Sequence, residues 1–141
     1  MFKNILLAID LNDEGSWAKA LPVALDFVGA SSGILHVMTV VPDFGMSIVG
    51  QFFPKGYEKE VGEKILVTLK EFVKTNVPDD ITVQHIVGEG TVYEVILKMA
   101  DKIHVDMIVV SSGRDDLKDF LLGPNAARIV RHAKCSVTVV R

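Results

Sequence analysis

The chain has 141 residues, 49% of them hydrophobic and 23% charged, which suits one compact domain with a sizeable core and excludes a disordered chain. Its net charge of −3 removes the electrostatic basis for expecting nucleic acid or an anionic membrane as partner. With a lone cysteine, Cys135, no intrachain disulfide can form, and neither the short apolar run Ile5–Ile9 nor any later stretch reaches signal-peptide or membrane-span length, so the cytoplasm is the expected location.

Ile5–Ile9 is apolar without period-two alternation, the pattern of a strand buried on both faces. Trp17, Leu21, Ala24, Leu25 and Val28 then share one face of a helix. Pro22 within that stretch calls for a kink or a place in the first turn. A second strand runs from Gly33 to Val41 and is followed by Pro42–Pro54, which reads as a loop packed by its own apolar residues. Val61, Ile65, Leu69, Phe72 and Val73 mark the next helix.

The third strand, Ile81–Val87, is more polar and belongs toward a sheet edge. Thr91 and Glu94 have the spacing of a capping box ahead of a helix carrying Val95, Ile96, Met99 and Ile103. Met107–Val110 is a strongly apolar fourth strand. Pro124 suits the first position of a last helix, with Ile129, Val130 and Ala133 facing inward, and Val137–Val140 closes the chain as a fifth strand. Strands alternating with helices in this way predict an α/β protein: a five-stranded parallel sheet with helices on both faces, a flavodoxin/Rossmann-like three-layer sandwich. A flavodoxin-like strand order is one natural solution.

Such folds bind ligands beyond the carboxyl ends of the strands, where the strand order reverses. Two segments occupy those ends. Ala8-Ile9-Asp10 leaves the first strand, and Val110-Ser111-Ser112-Gly113-Arg114 leaves the fourth. Gly123, Asn125 and Ala126 then open the last helix, whose start presents unpaired N–H groups to an anion. On these residues alone, ordinary turn chemistry is the commoner explanation.

Asn4-Ile5-Leu6-Leu7-Ala8-Ile9-Asp10, Leu35-His36-Val37, Gly88-Glu89-Gly90, and the tail from Asp106 through Leu121-Leu122-Gly123 to Val137 together resemble the universal stress protein family over essentially the whole chain. The resemblance implies a homodimer in stress response and, in many members, bound ATP or AMP, with magnesium as a possible companion. It implies that Asp10 approaches the ribose hydroxyls or a metal, that Val37 offers backbone groups to adenine, and that Arg114 faces phosphate. Asp10 is equally suited to forming a turn or capping the first helix.

Nucleotide-binding members carry Gly, two residues, Gly, nine residues, Gly, then Ser or Thr. Gly113 and Gly123 have the nine-residue spacing, but the first glycine slot falls on Val110 (or Ser111, one residue along) and the last on Pro124, which has neither hydroxyl nor N–H. Leu121-Leu122-Gly123, continuing through Asn125-Ala126, resembles a branch of the family with a variant loop.

Other constellations are missing. There is no Gly-x-x-x-x-Gly-Lys, His36, His85, His104 and His132 have no metal spacing, and Ser111 and Ser112 have no base evident in the sequence. No enzyme is therefore expected. Two readings stay open: a nucleotide-binding stress-response module, and an interaction protein without nucleotide. In either case the β-branched last strand carries no blocking proline and is expected to pair with its copy in a homodimer.

Overall fold

The computed structural model describes residues 2–41, 57–113 and 123–141. In chain order the elements are β1 (Asn4–Ile9), a 3₁₀ turn (Glu14–Ser16), α1 (Ala20–Ser31), β2 (Ile34–Val41), α2 (Tyr57–Asn76), β3 (Thr82–Glu89), α3 (Val92–Lys102), β4 (Met107–Ser111), α4 (Pro124–His132) and β5 (Ser136–Val140). All strand pairs are parallel. They lie in the order β3-β2-β1-β4-β5.

A flavodoxin-like order would place β3 at the centre; here β1 takes that place and β3 lies at an edge. Burial explains the choice. The inner residues of β1 are almost all buried on both faces, whereas Thr82, Gln84 and Glu89 of β3 are exposed. A strand with half-polar faces costs least at the rim, where water reaches it.

Each strand splits its side chains between two cores. Ile5, Leu7, Ile9, Leu35, Val37 and Val109 join Ala24, Val28, Leu69 and Val73 of α1 and α2. Leu6, Met38, Ile86, Ile108 and Val110 join Ile96, Ala100 and Ile129 of α3 and α4. The two helix layers therefore cover opposite faces of one sheet, as the alternation of strand side chains requires. Among the described residues, no helix is long and apolar enough to cross a membrane.

Two local expectations need correction. Trp17 precedes α1 as the residue closing the 3₁₀ turn, where its ring meets Phe72 edge-on at 4.9 Å, and Pro22 falls in the first turn of the helix, where a missing N–H costs no helical bond. Thr91 stands at the N-cap of α3 but its hydroxyl makes no capping bond. The Glu94 carboxylate instead accepts from the Tyr93 hydroxyl at 3.2 Å, so the box does not close.

At the amino end of the sheet, buried His36 bridges three strands, its ring nitrogens bonded to Gln84 Oε1 of β3 and Asn4 Oδ1 of β1. Burial lowers the affinity of this imidazole for a proton, and the Gln84 bond opposes that in part.

Candidate functional site

β1 and β4 are neighbours whose onward connections run to opposite sides of the sheet, so their carboxyl ends diverge and leave a crevice. A cleft of about 590 Å³ opens there. That volume lies in the usual range for small-molecule sites.

One wall is the turn after β1. Asn12 N–H donates to Asp10 Oδ1 at 2.9 Å, Asp13 N–H to the Asp10 carbonyl at 3.0 Å, and Gly15 N–H to Asp13 Oδ1 at 3.0 Å. Asp10 is thus both a turn-former and a cleft residue, its carboxylate exposed at the rim. Ser16 locks the turn: its hydroxyl accepts from Asp10 N–H at 2.8 Å and lies 2.7 Å from the Asp13 carbonyl, to which it donates. Ser111 at the end of β4 donates to the Gly15 carbonyl at 3.2 Å and ties the two strand ends together.

The opposite wall is the start of α4. Gly123 N–H donates to the Ser112 carbonyl at 2.7 Å, and Ala127 N–H makes the first helical bond, to the Gly123 carbonyl, at 2.9 Å. A Cβ on Gly123 would sit 3.1 Å from Gly113 Cα, so the two glycines pack closely against each other. Gly113 itself has φ of 120°, a conformation suited to glycine. Pro124 occupies the first helical position. The N–H groups of Asn125, Ala126 and Gly113 find no acceptor among the described residues and belong to residues lining the cleft.

The floor is apolar: Met38 and Val40 of β2, Val92 and Ile96 of α3, Val110 of β4 and Ile129 of α4. A planar, weakly polar group has a surface to rest on there.

Of the residues singled out from sequence, Ala8, Ile9, Asp10, Val110, Ser111, Gly113, Gly123, Asn125 and Ala126 all line this cleft. Val37 does not. Its side chain is sealed in the core on the other face of the sheet, and Met38 and Val40 take its place on the lining because strand side chains alternate. Ser112 is also off the lining; its carbonyl and N–H instead bond Gly123 and Val140. Arg114 lies outside the described residues, as does the loop Pro42–Pro54. Sequence reasoning placed Pro124 in the last slot of the glycine pattern, and missed Asp13, Ser16, Met38, Val40, Val92, Ile96 and Ile129 as lining residues. The period-two step from Ile34 through His36 to Met38 and Val40 was a usable signal, once the face of the cleft is known.

Cys135 is half-buried just before β5, and burial pushes its thiol pKa up, away from nucleophilic chemistry. Among the described residues, no cluster of three or more metal-ligating side chains occurs.

A parallel sheet ordered in this way, with a cleft at its point of reversal, defines a doubly wound α/β protein of the Rossmann type. The model of the universal stress protein family matches residues 1–141, and the chain belongs to that family. It is 27% identical to universal stress protein G of Salmonella typhimurium strain LT2, over all of both chains. Among solved structures, universal stress protein UspA from Lactobacillus plantarum superposes with a TM-score of 0.73 at 20% identity, covering 99% of this chain and 98% of that one. Another universal stress protein, solved in complex with cAMP, superposes with a TM-score of 0.67 at 20% identity, covering 99% and 97%.

Proposed function

We propose that this universal stress protein binds an adenine nucleotide in the cleft between β1 and β4 and acts as a homodimer in stress response. The observation that carries the reading is the set of N–H groups of Gly113, Asn125 and Ala126, without an acceptor among the described residues, around one end of a cleft whose floor is apolar. Donors at a helix start favour a phosphate, and the apolar floor favours a base. A family member of the same fold was solved with cAMP, which has both parts. In this reading Asp10 takes ribose hydroxyls, the floor of Met38, Val40 and Val92 takes adenine, and the start of α4 takes phosphate. Val37 then contributes through its place in the sheet.

The dimer rests on β5. It is an edge strand, and Val137, Val139 and Val140 are only half-buried. The Val140 carbonyl accepts from Ser112 N–H, which turns its polar groups toward β4. Polar groups alternate along a strand, so those of Val137 and Val139 face the open edge, where a second copy satisfies both edges at once.

A second reading, an interaction module without nucleotide, is favoured by one feature: Pro124 removes a donor from the helix start. Titration calorimetry with adenosine, AMP, cAMP and ATP separates the two. Heat of binding with at least one of them, abolished by Gly123→Val, supports the nucleotide module. No heat with any of the four leaves the interaction module.

A further inference from the structure

Resting on the nucleotide reading of the cleft, we infer that the site selects ligands of low negative charge, a nucleoside or a singly charged cyclic phosphodiester, over nucleoside triphosphates. Two counts at the β1/β4 end of the cleft carry this, one of donors and one of charges.

Among the described residues, the donors at this end suffice for one phosphate group. Gly113, Asn125 and Ala126 offer backbone N–H groups and Asn125 adds its exposed amide. The other described polar groups around the start of α4 and the turn after β1 are spent within the protein. Gly123 N–H is held by the Ser112 carbonyl, Ser111 hydroxyl by the Gly15 carbonyl, and Ser16 hydroxyl by the turn after β1. Pro124 has no N–H at the position where a helix start would otherwise supply another. Among the described residues, no further donor at this end is left to hold the oxygens of a second or third phosphate.

The charges oppose a polyanion. Asp10 and Asp13 both line the cleft, and among the described residues of the lining there is no lysine or arginine. The sequence joining Gly113 to Gly123 sets Arg114 and Lys118 against Asp115, Asp116 and Asp119, so it adds no net positive charge. Each carboxylate repels every phosphate charge at partly screened range, and the penalty grows with the number of those charges. A cyclic phosphodiester carries a single negative charge, a terminal monophosphate roughly two, and a triphosphate more. A nucleoside meets no repulsion and still gains the floor.

The test is titration calorimetry of the full chain with adenosine, cAMP, AMP and ATP, in EDTA at low salt. The expected result is cAMP binding at least tenfold more tightly than ATP, with AMP between them. The double variant Asp10→Asn with Asp13→Asn keeps the oxygens that accept from Asn12 and Gly15 and removes both charges. It should narrow the cAMP-to-ATP gap at least threefold. ATP binding as tightly as cAMP, or a gap unmoved in the double variant, overturns the inference and leaves the nucleotide cleft intact. Failure of all four compounds to bind overturns the nucleotide reading and this inference with it.

Discussion

Replacing Gly33 by alanine should cost far more than the same replacement at Gly29, although the two glycines are only four residues apart. Gly33 follows α1 and leads into β2, where Ile34 N–H donates to the Lys3 carbonyl at 2.7 Å. A Cβ built on Gly33 falls 2.0 Å from that oxygen and 2.8 Å from both Lys3 C and Lys3 Cα. All of these are backbone atoms, so no rotamer change gives relief. The starts of β1 and β2 must move apart by more than an ångström, and the Ile34–Lys3 bond is lost on the way. Overpacking of this kind costs about 1–3 kcal/mol, and the lost hydrogen bond adds about 1 kcal/mol. Gly33→Ala should therefore destabilise the fold by about 2–4 kcal/mol. Gly29 lies inside α1 with nothing within 4 Å of its would-be Cβ. There Gly29→Ala should stabilise by about 0.5–1 kcal/mol, through helix propensity and the loss of freedom in the unfolded chain. Urea unfolding followed by circular dichroism, with parent and both variants at one protein concentration, reads the difference. Opposite signs are expected. If Gly33→Ala unfolds within 0.5 kcal/mol of the parent, roughly the size of a neutral surface change, then β1 and β2 do not approach each other as described.

Three further outcomes are expected. Pro124→Ser restores an N–H and adds a hydroxyl at the start of α4. It should tighten AMP or cAMP by about 1 kcal/mol, near fivefold, while leaving adenosine unchanged; calorimetry showing equal gains for adenosine would place the phosphate elsewhere. Val139→Pro removes an N–H directed at the open edge and spares the β4–β5 ladder, so sedimentation should show a parent dimer and a folded monomeric variant. An intact dimer in the variant would refute pairing through β5. Stability should also fall with acid. Burial lowers the pKa of His36, and burial with the nearby Lys70 lowers that of His85, so both are kept below the ordinary imidazole range. The unfolded chain then takes up protons first as pH drops through about 6.5, and stability present above that pH is lost below it. The limit is about 1.4 kcal/mol per pH unit for each group. His36→Gln should flatten the decline between pH 7 and 5 in urea titrations, and an unchanged slope would show that His36 is not the group responsible.

Hydrophobic pattern by itself determined the succession of elements. The runs at Ile5, Ile34, Met107 and Val137 are strands, and the helices between them carry their apolar residues at helical spacing, because burial of one face imposes its period on the chain. The more polar third run and the prolines at 22 and 124 could be placed as well, since water and a missing N–H act locally. The strand-end segments around Asp10 and Gly113 were legible for a related reason: the carboxyl ends of parallel strands are where an open sheet can hold a ligand. What the sequence could not decide is which elements meet. The central place of β1 follows from which strand loses most by exposure, a comparison across the whole sheet. Thr91 has the residues of a capping box and lacks its hydrogen bond, because spacing permits that contact without enforcing it. Val37 and Met38 are adjacent in sequence yet lie in different cores, and only the sheet with both helix layers in place puts Met38 on the cleft floor and Val37 behind it. Side-chain partners, unlike periods, depend on contacts made between segments far apart in the chain.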